Sequence, residues 1–272
     1  MTTPVNSVRW TIRRYDTVTS TMDVAAQLIA DGEESGPTVV VADDQTAGRG
    51  RANRSWRSIP GGSLQMTAIL SLPVSLSGLG PVPLLVGNIV AESIEALDDC
   101  LKPTLKWPND VLIHGRKVAG ILIVSRSTGE STLLQIGIGV NFADPESSGG
   151  SSIGLGRIWE MGYEEPLLIQ ARDRLLGEIL SRLVCLSDEL IADGGVAGLE
   201  RWVRRATLLG EPVCIRDGDR TIEGILLGID QTGALRIETG SGKITTVVAG
   251  DLTRGPRRLV ADDSLQISED LA

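Results

Sequence analysis

The sequence predicts an α+β protein: a mixed domain of helices and strands up to about Ala206, followed by a small all-β module. Three observations predict it. At about 150 residues per domain, a chain of 272 residues makes one large domain or two unequal ones. Up to Ala206 the apolar residues recur at strand spacing in some segments and at helix spacing in others. After Gly210 the texture changes to short apolar runs separated by Asp217-Gly218-Asp219, Thr232-Gly233 and Gly240-Ser241-Gly242. That turn density reads as a small barrel of about 50 residues, SH3-like in size.

Taken in order, Val8 to Tyr15 alternates apolar and polar residues as a strand does. Ser20-Thr21-Met22-Asp23 has the S-x-x-D form of a capping box. It opens a helix carrying Ala25, Ala26, Leu28 and Ile29, which stops at Gly32. Thr38 to Ala42 is a short apolar strand and Asp43 to Gly62 a polar loop. Leu64 to Leu72 is the next strand, and Pro83 to Leu97 a helix with Leu84, Leu85, Ile89, Ile94 and Leu97 on one stripe. Sheet texture follows in Leu105 to Trp107, Val111 to Ile113, Val118 to Val124 and Leu133 to Val140, with a turn at His114-Gly115-Arg116. Asp144 to Gly156 is a flexible Ser/Gly-rich loop. Leu167 to Ile191 reads as one long amphipathic helix and Val196 to Ala206 as a second. In the β module the strands are Val213 to Arg216, Thr221 to Asp230, Ala234 to Thr239 and Lys243 to Val248. The acidic tail after Ala261 is expected to be disordered.

Composition excludes several functions. Hydrophobic residues make up 42% and charged residues 22%, enough for a packed core, and aromatics are only 3%, so that core is aliphatic. Lys plus Arg total 26 against 35 Asp plus Glu, a formal charge of -9, whereas nucleic-acid readers carry a basic face. His114 is the single histidine, which leaves little room for Ser-His-Asp, Cys-His or multi-histidine metal chemistry. Cys100, Cys185 and Cys214 are odd in number, widely spaced and without a C-x-x-C pair. They form neither a disulfide scaffold nor a zinc site and read as buried small hydrophobes in a reducing cytoplasm. Met1 to Val8 has no apolar core of a signal peptide. Ser58 to Ala91 is uncharged, but its prolines and glycines break it into strand, loop and helix, so it is not a membrane span.

Four segments concentrate groups able to do chemistry. Gln45-Thr46-Ala47-Gly48-Arg49-Gly50-Arg51, continuing through Arg54, Trp56 and Arg57, places four arginines in nine residues of an acidic protein. Glycines admit close backbone approach and guanidinium forks match carboxylate or phosphate oxygens; a solvated basic loop has the same composition. It is neither a P-loop nor a dinucleotide fingerprint. Lys106-Trp107-Pro108-Asn109-Asp110 sets a cation, an amide and a carboxylate on a stiff strand end, or is simply a strand-to-turn element. In Lys117-Val118-Ala119-Gly120-Ile121-Leu122 a lysine enters a buried strand, either snorkelling or serving an anion. Gly137-Ile138-Gly139-Val140-Asn141 is a strand lacking side chains at two positions of one face, which marks a ligand approach or a bulge.

Together, S-T-x, Q-x-A-G-R-G-R, K-W-P-N-D, K-x-A-G-I-L and G-x-G-x-N, followed by a small β module, closely resemble biotin protein ligases, the biotin–[acetyl-CoA-carboxylase] ligases. The motifs run from Ser20 to Asn141, and with the strand-rich remainder the resemblance covers nearly the whole chain. It implies a class II aminoacyl-tRNA-synthetase-like, biotin–lipoate ligase catalytic domain over residues 1–206. An SH3-like C-terminal β-barrel over 207–260 and a disordered tail over 261–272 follow. By similarity, Ser20, Thr21, Met22 and Gln45 lie at the ureido end of biotin. Arg49, Gly50 and Arg51 belong to a loop that closes over biotin and its adenylate, and Lys117 lies beside the biotin carboxylate and the α-phosphate. Trp56, Lys106, Asn109, Asp110 and Asn141 fall on the ATP side with Arg51, and Asp110 is the residue available to Mg²⁺, which is otherwise held by phosphates. Lys117 and Arg51 are the catalytic pair. One departure is Met22, where the family usually has Asn, so a side-chain hydrogen bond is lost there.

The activity implied is ATP-dependent biotinylation of a lysine on the biotin carboxyl carrier domain of an acyl-CoA carboxylase, through biotinyl-5′-AMP. Some relatives carry an N-terminal DNA reader; about 19 residues precede Ser20, too few for one, so the mono-functional, cytoplasmic type without DNA or membrane partners is expected. Two other readings stay open at this point: a non-catalytic biotin-binding regulator, and a lipoyl or octanoyl ligase, which disagrees with G-R-G-R and K-W-P-N-D. Monomer and homodimer are equally compatible with the sequence.

Overall fold

In a computed structural model of the chain, residues 9–33, 36–145, 150–159 and 165–256 are described. They fall into two compact units, one running through Thr207 and taking in Gln231–Gly233, the other made of Leu208–Asp230 and the chain from Ala234 onward. The expectations for the N-terminal eight residues and the acidic tail, and part of that for Asp144 to Gly156, lie outside the described residues.

In the first unit a seven-stranded mixed sheet has the order β1-β2-β3-β7-β6-β5-β4. Its strands are β1 (Thr11–Val18), β2 (Thr38–Gln45), β3 (Ser63–Leu72), β4 (Thr104–Lys106), β5 (Asp110–Ile113), β6 (Arg116–Ser127) and β7 (Thr132–Asn141). The β1–β2 pair is parallel and needs a crossover, supplied by α1 (Thr21–Asp31). Ser20 caps α1 with extended backbone, its Oγ accepting the Met22 N–H at 3.3 Å, and Gly32 ends it at φ 67°. Only half of the expected capping box forms, because Asp23 turns its carboxylate to Arg49 instead. The β5–β6 hairpin turns on His114 and Gly115 at φ 51° and 71°, the left-handed pair that a two-residue turn requires.

The two faces of the sheet are unlike. Leu105, Val111, Ala119, Val140 and Leu64 form one cross-strand row, and Leu105 meets Gly87 of α2 (Val82–Glu95) there. On the opposite face, Val40 and Ile69 pack against Ala25 and Leu28 of α1. The remaining helices are α3 (Leu155–Ile158), α4 (Glu165–Leu183), α5 (Leu186–Asp193) and α6 (Val196–Arg205). The single helix expected over Leu167 to Ile191 is therefore two, α4 and α5, interrupted at Val184-Cys185. The strand expected at Val8 to Tyr15 sits three residues later, because pairing with β2 runs from Thr11 to Val18. Cys214 is buried as expected, but Cys100 and Cys185 are exposed; they stand in the turns after α2 and α4, outside the core.

In the second unit β8 (Pro212–Asp217), β9 (Arg220–Ile229), β10 (Leu235–Glu238), β11 (Ile244–Val247) and β12 (Asp251–Arg254) make an antiparallel sheet in the order β11-β10-β9-β8-β12. Among the described residues no ladder is drawn between β11 and β12, the two ends of this sheet. Val213, Ile215, Leu226, Leu235, Ile237, Val247 and Leu252 form its core. Among the described residues no helix is long and apolar enough to cross a membrane.

Candidate active site

The site grows from a second cross-strand row on the α1 face. Lys106, Asp110, Gly120, Gly139, Gln65 and Ala42 pair in succession across β4, β5, β6, β7, β3 and β2. Two neighbouring glycines in that row open a floor without side chains, and the Trp56 indole lies on it. A Cβ on Gly139 would stand 2.5 Å from Trp56 Cε2, and one on Gly120 would stand 3.2 Å from Trp56 Cζ3. One row further along, Leu122, Gly137, Thr67 and Val40 align, and Met22 seats its sulfur over Gly137.

Trp56 is delivered by the arginine-rich segment. Residues 48–56 double back as a narrow hairpin, with Gly50 N–H to Arg54 O at 2.6 Å and Trp56 N–H to Gly48 O at 2.9 Å. Ala52 and Asn53 turn it at φ 51° and 57°, a costly pair for residues bearing a Cβ. Two anchors hold the hairpin: Arg49 pairs with Asp23 of α1 at 2.6 Å, and Arg51 Nη1 donates to Asn109 Oδ1 at 3.3 Å. Asn109 in turn is pinned to β6, its Nδ2 donating to Ile121 O at 2.8 Å. Open clefts of about 650 and 410 Å³ lie on either side, one against Arg49, Arg51 and Leu122, the other against Gln45, Trp56 and Arg57.

Lys117 Nζ lies 2.6 Å from Asp110 Oδ1 and 5.9 Å from the centre of the Trp56 ring. The lysine thus meets a carboxylate and the indole face together at the edge of the glycine floor. Both side chains of the pair keep 22–31% exposure, so a ligand anion can reach the ammonium. Asn141, beside Gly139 on the same face, is buried with Oδ1 unpartnered, and Trp56 Nε1 is likewise buried without a partner among the described residues. Buried polar atoms of this kind are rare in folded proteins and mark a ligand or water position.

At the β2 end the side chains of Ser20, Thr21 and Gln45 are polar and uncharged. Ser20 and Thr21, both buried, open α1 beside Gln45 at the end of β2. Gln45 Oε1 accepts the Thr21 N–H at 2.7 Å and the Thr21 hydroxyl at 3.1 Å. Gln65 and Thr67, which the reading of the sequence left out, join this network from β3. With Ser63 and Ser71 they are the polar members of the apolar strand Ser63–Leu72, all on one face at period two, which is the signal that could have marked them. Lys106 stands opposite Asp110 by register but forms no ion pair among the described residues. Of the other proposed residues, Ser20, Thr21, Met22 and Gln45 stand at one end, Arg51, Trp56, Asn109, Asp110, Lys117 and Asn141 at the other, and Arg49 and Gly50 in the hairpin.

A metal fits this site only with help from a ligand. Among the described residues the one cluster of three possible metal-binding side chains is Asp98, Asp99 and Cys100, outside the site. The site itself offers the Asp110 carboxylate, an oxygen donor that suits Mg²⁺ held mainly by phosphates.

The biotin/lipoate A/B protein ligase family matches residues 15–141, and the biotin protein ligase C terminal domain matches residues 208–252. The chain is 31% identical to the bifunctional ligase/repressor BirA of Bacillus spizizenii over 249 residues, 88% of this chain and 73% of that protein. It is 30% identical to the biotin–[acetyl-CoA-carboxylase] ligase of Paracoccus denitrificans over 218 residues, 77% of this chain and 87% of that protein. Among solved structures, the Aquifex aeolicus biotin protein ligase in complex with biotin and ATP superposes with a TM-score of 0.68 at 26% identity, covering 90% of this chain and 99% of that one. The chain belongs to the biotin protein ligase family.

Proposed function

We propose that the protein is a cytoplasmic ligase that activates biotin with ATP and transfers it to a lysine of a carboxylase's biotin carboxyl carrier domain. The observation that carries this reading is the pairing of two unlike ends on one sheet face. A neutral hydrogen-bonding pocket at Ser20, Thr21 and Gln45 adjoins a cationic platform at Lys117, Arg51 and Trp56. Biotin has matching ends, a neutral ureido ring and a carboxylate. A lipoyl or octanoyl chain would leave the buried polar groups of the pocket unmatched, which discriminates strongly against it.

In this assignment residues 1–206 are the catalytic domain and 207–260 the C-terminal module. The ureido ring is held by Ser20, Thr21, Gln45 and the Met22 backbone. The carboxylate points to Lys117, with Arg49, Gly50 and Arg51 closing from above. ATP is held through Arg51, Trp56, Lys106, Asn109, Asp110 and Asn141, and the orphaned Trp56 Nε1 and Asn141 Oδ1 are the atoms a nucleotide satisfies. Asp110 would hold Mg²⁺ arriving with the phosphates, and the ion would supply neutralisation of phosphate charge there.

The chemistry needs charge compensation and no protein nucleophile. A biotin carboxylate oxygen attacks the α-phosphorus, the bond to the β-phosphate breaks, and pyrophosphate leaves with the electron pair. The lysine ε-amine of the carrier then attacks the acyl carbon of biotinyl-5′-AMP; AMP leaves and the amine loses a proton. Lys117, released from Asp110, and Arg51 bring the two anions together and stabilise the transition state by position and charge. The mixed anhydride is labile in water, so the hairpin over the site must exclude solvent while it waits. Biotin-dependent exchange of pyrophosphate into ATP tests the first half-reaction: we expect exchange that requires biotin, and its absence would overturn the assignment.

A further inference from the structure

We infer that Gln65 is a positioning residue that fixes the amide of Gln45 and so sets the affinity for the ureido end of biotin; this rests on the ligase assignment above. A glutamine amide is nearly symmetrical in shape, and its orientation is decided only by its hydrogen-bond partners. Here both ends of a two-glutamine chain meet backbone groups, whose roles cannot be exchanged. The Thr21 N–H can only donate, so the Gln45 atom 2.7 Å away is Oε1. The Asp43 carbonyl can only accept, so the Gln65 atom 3.2 Å away is Nε2. Between them, Gln45 Nε2 donates to Gln65 Oε1 at 2.6 Å, and the chain closes consistently.

Gln45 has little hydrogen-bonding capacity left. Its oxygen is filled by the Thr21 N–H and the Thr21 hydroxyl, and that hydroxyl accepts in turn from Thr67 Oγ1 at 2.8 Å. One of its two N–H groups is taken by Gln65, so it turns one N–H donor toward a ligand. Gln65 is itself almost fully buried, at 1% exposure, so it cannot exchange this partner for water. Its far anchor is braced as well: Arg172, buried on α4, pairs with the Asp43 carboxylate and donates to Gly61 O. Remove Gln65 and a half-buried Gln45 N–H loses its acceptor, which leaves the amide free to turn away from the pocket.

A double-mutant cycle on the full chain tests this, with Gln65→Met as the near-isosteric change, Gln65→Ala as a second variant, and Gln45→Leu as the partner. In biotin-dependent pyrophosphate–ATP exchange, we expect Gln65→Met to raise the KM for biotin about 5- to 100-fold, the range for a buried polar group left unmatched. The KM for ATP and the rate at saturating biotin stay within about threefold of wild type. In the Gln45→Leu background the same change adds nothing, because its target is gone. Three results overturn the inference while exchange by the wild type remains intact. These are an unchanged biotin KM in both Gln65 variants, a full additive effect in the Gln45→Leu background, or an equal rise in both KM values. A wild type without biotin-dependent exchange instead removes the ligase assignment itself.

Discussion

Replacing Gly139 by Ala puts a methyl group where the Trp56 indole lies. The added Cβ would stand 2.5 Å from both Cε2 and Cζ2 and 3.0 Å from Cδ2 of the ring, and all three are atoms of a rigid plane. Carbon atoms settle at about 3.5–4.0 Å, so the indole must retreat by about 1 Å or more, or the sheet must give. Overpacking of this kind costs about 1–3 kcal/mol. Trp56 Nε1 has no hydrogen-bond partner among the described residues, so the ring yields before the strand does. If the free protein keeps the ring in place, the cost appears as stability, about 2–12 °C in melting temperature for a unit of this size. If the ring leaves, the cost appears when a nucleotide requires it back, as about a 5- to 150-fold weaker affinity for ATP. Gly137→Ala is the control: there the methyl meets Met22 Sδ at 2.8 Å, the far part of a flexible side chain, and Leu122 O only at 3.3 Å, so the penalty is smaller. Differential scanning fluorimetry and ATP titration of both variants read the two routes together. A Gly139→Ala protein with wild-type melting and wild-type ATP affinity would refute the placement of Trp56 on the glycine floor.

Three further predictions follow from the same geometry. Lys117→Ala should lower biotin-dependent exchange about 10²–10³-fold, the cost of a lost charged donor in a transition state. Its pair with Asp110 is a quarter exposed, so folding should lose no more than about 1 kcal/mol; near-wild-type exchange would contradict the role. Amides of residues 46–58 should exchange quickly in the free protein and become protected once the adenylate forms. Equal protection in both states, read by hydrogen exchange, would contradict closure. Asp144 supplies a pH test of stability. Burial pushes its carboxyl up, but Arg157 and the Gly154 N–H outweigh that and hold it below the ordinary carboxylate value. Its contribution is therefore complete above about pH 4 and is lost as pH falls through the lower folded value. The melting-temperature gap between wild type and Asp144→Asn should close in acid, and a constant gap from pH 7 to pH 3 would count against it.

Much of this architecture is legible in the sequence because local chemistry writes it there. Ser20 and Gly32 bracket α1, His114-Gly115 turns the β5–β6 hairpin, and Gly137 and Gly139 announce a bare sheet face. The α4–α5 break is not legible, since Leu183, Leu186 and Leu190 continue an apolar stripe and neither Gly nor Pro interrupts it. β1 is an exposed edge strand, so its alternation reports little burial and its ends are set by β2 instead. β12 is short and mostly exposed, with Leu252 its one buried side chain, and it takes its strand form from pairing with β8. At the site, motif spacing points to Lys117, Arg51 and Gln45, yet Gln65, Asp23 and Arg172 escape it. Each acts on a partner far along the chain, Asp23 on Arg49 and Arg172 on Asp43, and such pairings exist only once the sheet is assembled.

The central claim is tested most directly by incubating the protein with biotin, Mg-ATP and a purified biotin carboxyl carrier domain, and reading the acceptor by intact mass. The account predicts a gain of one biotinyl group on the acceptor lysine that requires both biotin and ATP and collapses with Lys117→Ala. An unmodified acceptor under conditions in which the protein binds biotin would contradict it.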